Sequence, residues 1–104
     1  MARVKITVLK TDFDEELAKE YGAATLSGLC PQFRPGEIIF CERHWQPEGF
    51  CGEAWKCIQH YVYALYYGAT EPFGKDWMRN GNIAIATCND GLRPVTFKLE
   101  RVEE

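Results

Sequence analysis

Val4, Ile6 and Val8 alternate with Lys5 and Thr7 near the start of the chain, a period of two that turns one side of a strand toward a core and the other toward water. Asp12 followed by Glu15 reads as a capping box, in which a side chain at each end satisfies free N–H groups of a helix start. Phe13, Leu17 and Tyr21 share one helical face and Gly22 supplies the stop, so a short helix is expected after the first strand. Arg34-Pro35-Gly36-Glu37 has Pro and Gly at the central positions of a type II turn and feeds a second strand in "EIIFCE". The stretch from Arg43 to Gly49 contains Pro47 and no periodicity, and reads as a loop.

That loop delivers the chain to "GFCGEAWKCIQHYVYALYYG", residues 49 to 68. On a helical wheel Ala54, Ile58, Tyr61, Val62 and Leu65 fall within about 100° of arc, a single apolar stripe suited to a core. Cys57 lies at the edge of the stripe and His60 on the polar side between Glu53 and Lys56. Tyr63 and Tyr67 stand on the opposite face and suggest a subunit contact. The following "GATEPFGKDWMRNGN" has no regular pattern, and loops of that length in compact domains are often functional. Its Phe73, Trp77 and Met78 are read as a lid over a pocket. Ile83, Ile85 and Thr87 then oppose Ala84, Ala86 and Cys88, "CNDGLRP" turns the chain, and Val95, Phe97 and Leu99 alternate with Thr96, Lys98 and Glu100. This is a hairpin. The order strand, helix, strand, helix, hairpin predicts an α+β fold: a small, mainly antiparallel sheet packed against one long aromatic-rich helix, with a short N-terminal helix.

A chain of 104 residues is read as a single domain, 1–104, with little core to spare, and a homo-oligomer is expected. Hydrophobic residues at 46% and charged residues at 26% place it among globular proteins rather than disordered ones. Its 12 Lys and Arg are scattered in a chain of net charge −3, which argues against nucleic acid or an anionic membrane as partner. "MARVKITVLK" has no apolar run of signal-peptide length, and no later segment approaches the ~20 apolar residues of a membrane span. A cytoplasmic location is therefore expected, with the odd number of cysteines, 5, pointing to free thiols rather than a disulfide scaffold.

The thiols are the chemistry to explain. If the aromatic helix begins between Gly49 and Gly52, Cys51 sits beside unpaired N–H groups at the positive end of the helix dipole, surroundings that lower a thiol pKa, although Glu48 and Glu53 oppose ionisation. Cys88 closes its strand just before the Asn89-Asp90-Gly91 turn, where it can converge with a helix start, and Cys30 precedes the second strand. Cys30, Cys51 and Cys88 could hold zinc or iron with His44 or water in the remaining position, though no C-x-x-C knuckle exists. His44 also stands within loop reach of Cys51 as a base. Asp90 with Glu48 or Glu53 forms a candidate acid/base pair, but an Asp in this setting is first a turn residue. The sequence holds no phosphate loop and no nucleophile elbow.

Cys30-Pro31 with Pro35-Gly36-Glu37, Pro47-Glu48-Gly49-Phe50-Cys51 with Ala54-Trp55, Ala64-Leu65 with Gly68, and Cys88 through Pro94-Val95-Thr96-Phe97-Lys98-Leu99-Glu100-Arg101 resemble a family of small, uncharacterised prokaryotic proteins of about this length. The family pattern has a Pro-Glu-Gly-x-Cys helix start and a C-terminal Cys-x-Asp…Pro-Val-x-Phe-x-Leu-x-Arg hairpin. The resemblance spans nearly the whole chain and implies that Cys30, Cys51 and Cys88 belong to that pattern while Cys41 and Cys57 do not. It implies no activity. The chain departs from the pattern at Pro72-Phe73, where Pro-Trp is usual and Trp77 comes later, and at Cys88-Asn89-Asp90, where Cys-Pro-Asp is common.

The expected function is binding of a small ligand or a metal in a pocket lined by Cys51 and Cys88, with Cys30 nearby and Trp55, Trp77 or Phe73 as walls. One alternative is an enzyme with Cys51 as nucleophile or acid/base and Cys88 as its partner. Another is a structural accessory subunit whose tyrosine face docks a second protein.

Overall fold

The computed structural model describes residues 2–26 and 28–103. Along them run β1 (Ala2–Thr11), α1 (Glu15–Tyr21), β2 (Ile38–Cys41), α2 (Gly52–Tyr66), β3 (Ile83–Thr87) and β4 (Val95–Glu103). The strands form one sheet in the order β2-β1-β4-β3, and every pairing is antiparallel. The first and last strands of the chain are thus its centre.

The alternation in the sequence sets the inner face. Val4 lies opposite Cys41, Ile6 opposite Ile39 and Leu99, Val8 opposite Phe97, and Ala84 opposite Leu99. Because side chains alternate faces along a strand, this register lines up Val4, Ile6, Val8, Phe97 and Leu99 on one side, where all are fully buried. The apolar stripe of α2 covers them: Ala54, Trp55, Ile58, Val62 and Leu65 are its buried residues, and α2 contacts β1, β3 and β4. On the far face Ile38 is 51% exposed and the Arg3 guanidinium lies over the Phe40 ring at 4.1 Å.

Three local expectations change. The covering helix is not long: its 15 residues span about 22 Å at 1.5 Å per residue, because Gly68, at φ +91, turns the chain away just beyond it. The first helix is capped by Asp14, whose carboxylate accepts the Leu17 N–H at 3.0 Å, and not by Asp12. Asp12 still belongs to the β-layer, since its N–H donates to the Pro94 carbonyl at 2.9 Å. Nor does the Phe13, Leu17, Tyr21 face reach the core; α1 has no buried residue, and Tyr21 is 72% exposed.

The turn before β2 is as read: Gly36 has φ +90 and the Glu37 N–H donates to the Arg34 carbonyl at 3.1 Å. At the same end of the sheet, beside the last residues of β1, the β3–β4 connection closes where the Cys88 N–H donates to the Val95 carbonyl at 3.1 Å. The pairing Thr87 to Thr96 precedes it, so Cys88 is fixed at the strand end.

Candidate functional site

The start of α2 is held in place by aromatic packing. Phe50 is buried against Phe33 (centroids 5.2 Å apart), Phe97 (5.9 Å) and Trp55 (6.0 Å). Gln46 Nε2 donates to its carbonyl at 3.0 Å, and Gly49, at φ +76, supplies the left-handed turn that brings the chain in. Cys51 follows as the N-cap, in extended conformation at φ −60, ψ 120. Its carbonyl accepts the Trp55 N–H at 3.0 Å, but its side chain makes no capping bond.

A cavity of about 300 Å³ opens beside this helix start. Cys30 enters from the loop before β2, Cys51 from the start of α2 and Cys88 from the end of β3, over an apolar floor of Phe33, Ala54 and Val95. Gln32, Glu53, Asn89, Asp90 and Arg93 form the polar part of the wall. Two elements are tied across it, because Asn89 Nδ2 donates to Glu53 Oε1 at 2.9 Å. That bond, with the Lys56 ammonium at 3.0 Å and its charge, holds the Glu53 carboxyl below the usual glutamate range.

Asp90 is the hub of the β3–β4 turn. Its Oδ1 accepts the N–H groups of Leu92 (2.9 Å) and Arg93 (3.0 Å), and its Oδ2 accepts Arg93 Nε at 3.1 Å. Burial alone pushes its carboxyl up, but the Arg93 and Leu92 N–H groups and the guanidinium together outweigh burial and leave it below the usual aspartate range. With its acceptors so engaged, Asp90 shapes the cavity wall through the turn.

All five thiols are free, and they divide by environment. Cys41 is fully buried, and burial, with a smaller push from Glu42, raises its thiol to about 12. Cys57 is half-buried on α2, and burial, then Cys88 and Glu53, push its thiol up against the pull of Lys56. Cys88 Sγ accepts the Val95 N–H at 3.4 Å. Cys30 and Cys51 are half-buried against the core.

The aromatic residues expected as walls lie elsewhere. Trp55 turns toward a second, larger groove of about 530 Å³ whose other lining includes His44, Trp45, Gln59, His60 and Tyr63. Phe73 and Trp77 pack on each other at 4.6 Å and on Tyr61 at 6.5 and 5.8 Å. Their loop therefore folds onto the flank of α2, where Tyr61 offers a ring to stack on, and forms no lid over the thiols. His44 packs among Tyr63 (5.0 Å), Tyr67 (5.5 Å) and Tyr66 (5.8 Å) in the groove and is absent from the thiol cavity. Tyr63 and Tyr67 remain exposed beside it.

Among the described residues no group of three or more His, Cys, Asp or Glu is arranged to hold a metal ion. Metal binding at Cys30, Cys51 and Cys88 is therefore not shown, and His44 lies outside their cavity. Sequence reasoning missed Phe33, Gln32 and Arg93 as cavity residues; only Arg93, three positions after a turn Asp, carried a signal that could have found it. Among the described residues no helix is long and apolar enough to cross a membrane.

Comparison with protein-family models, curated proteins and solved structures gave no match, so the reading of the site rests on its geometry.

Proposed function

We propose that this chain binds a small organic ligand in the cavity that Cys30, Cys51 and Cys88 share. The observation that carries the reading is the convergence of three thiols, far apart in sequence, on one opening, while Cys41 is buried in the core. Ligand sites are concave, mostly apolar and fitted with a few fixed polar groups, and about 300 Å³ is the small end of their range. Phe33, Ala54 and Val95 supply the apolar floor here, and the thiols with Gln32 and Arg93 supply the groups that orient a ligand. A compact, metabolite-sized molecule is the occupant that suits these walls.

Protein purified anaerobically without chelator is expected to carry such a molecule, seen as added mass in native mass spectrometry. Cys51→Ser should lose it while keeping the helical circular dichroism, since serine is itself a good N-cap. Wild-type protein with no added mass, or the same mass retained by Cys30→Ser, Cys51→Ser and Cys88→Ser alike, would contradict the reading.

A further inference from the structure

Cys41 shows where this fold puts a cysteine used as filler: fully buried, opposite Val4. Cys51 and Cys88 are placed differently, half-exposed on a shared cavity. They also differ from each other. Cys88 Sγ is anchored by the Val95 N–H at 3.4 Å, whereas the Cys51 side chain makes no capping bond. The segments that carry them are already joined, because Glu53, in the first turn after Cys51, accepts a hydrogen bond from Asn89, next to Cys88. Thiol–disulfide exchange needs one accessible thiol to attack and a second, held nearby, to resolve the mixed disulfide.

We infer that Cys51 and Cys88 act as a dithiol pair that reduces a low-molecular-weight disulfide entering the cavity, an inference that rests on the cavity being the ligand site proposed above. The Cys51 thiolate attacks one sulfur of the disulfide R–S–S–R; the Cys51–S–R bond forms, the S–S bond breaks and R–S⁻ leaves and takes up a proton. The Cys88 thiolate then attacks Cys51 Sγ, expelling the second R–S⁻ and closing a Cys51–Cys88 disulfide. Two electrons pass from the protein to the small disulfide, which leaves as two thiols. A disulfide needs Cβ atoms about 3.8 Å apart, and the closing step joins the helix start to the β3–β4 turn, the two segments that the Glu53–Asn89 bond already ties.

The test uses oxidised glutathione as the probe. Fully reduced protein is exposed to it, quenched in acid, alkylated and mapped by mass spectrometry. Wild type is expected to yield the Cys51–Cys88 linked peptide with only traces of glutathionylated protein. Cys88→Ser should instead accumulate a stoichiometric mixed disulfide on Cys51, and Cys51→Ser should give no linked peptide. A mixed disulfide on Cys51 that persists in wild type, or a link from Cys88 to Cys30 or Cys57, overturns the dithiol pair while leaving the ligand cavity standing. No reaction at Cys30, Cys51 or Cys88, alongside rapid modification of Cys57, overturns the pair and counts against the cavity as well.

Discussion

Phe97→Ala is expected to cost this domain about 3–5 kcal/mol, the usual loss for truncating a buried phenylalanine. The ring is fully buried, meets Phe33 edge-on at 5.2 Å, and packs against Phe50 at 5.9 Å. Its strand position places it across from Val8 and Ala86, so the space left behind is walled by a sheet that cannot collapse into it. A domain of this size has roughly 5–15 kcal/mol of stability in total. The effect reaches the site as well as the core, because Phe33 forms the floor of the thiol cavity and Phe50 directly precedes Cys51. Urea unfolding followed by circular dichroism is the check: the midpoint should fall sharply, and a loss under about 1 kcal/mol, within the range of a surface substitution, would show that Phe97 is not the keystone described.

The second large effect is chemical. With its thiol pushed up to about 12, Cys41 is a thiolate to only about one part in 10⁴ at pH 8, against roughly a quarter for a free thiol of pKa ~8.5. Full burial adds a steric block. Alkylation of native protein at pH 8 should therefore modify the cavity thiols Cys30, Cys51 and Cys88 much faster than Cys41. The same shift has a consequence for stability. Between about pH 8.5 and 12 the unfolded chain releases this proton and the native state keeps it, so stability falls with rising pH, at a limiting slope of about 1.4 kcal/mol per unit. Cys41→Ala should flatten that alkaline limb. Site-mapped alkylation rates, and unfolding midpoints between pH 8 and 11 for both proteins, test the two parts; equal rates for Cys41 and Cys51 would contradict the first.

The strands were legible because their constraint is local. Val4-Ile6-Val8 and Val95-Phe97-Leu99 each declare an inner face by alternation, and the burial follows it residue for residue. The Pro35-Gly36 turn was legible for the same reason. Helix α1 was misread at its start because the capping signal of Asp12 was outweighed by a strand that runs on to Thr11 and claims the Asp12 N–H for Pro94. The places of Cys51 and Cys88 at element ends were legible in the sequence, and both line the cavity. The walls were not, because the long loop offered Phe73 and Trp77 with no sign of which ring they would meet, and Tyr61 on the helix flank met both. Phe33 and Arg93 sit in loops where no periodicity marks an inward residue.

Cys30, Cys51 and Cys88 open on one cavity of ligand size. The most direct measurement caps Cys51 alone with N-ethylmaleimide, isolates that species, and follows the rates at which a second, isotopically distinct maleimide modifies the remaining thiols. A succinimide group filling a cavity of about 300 Å³ should sharply slow Cys30 and Cys88 and leave Cys57, which does not line it, at its original rate. Unchanged rates at Cys30 and Cys88 would mean that the three thiols face separate surfaces and share no cavity.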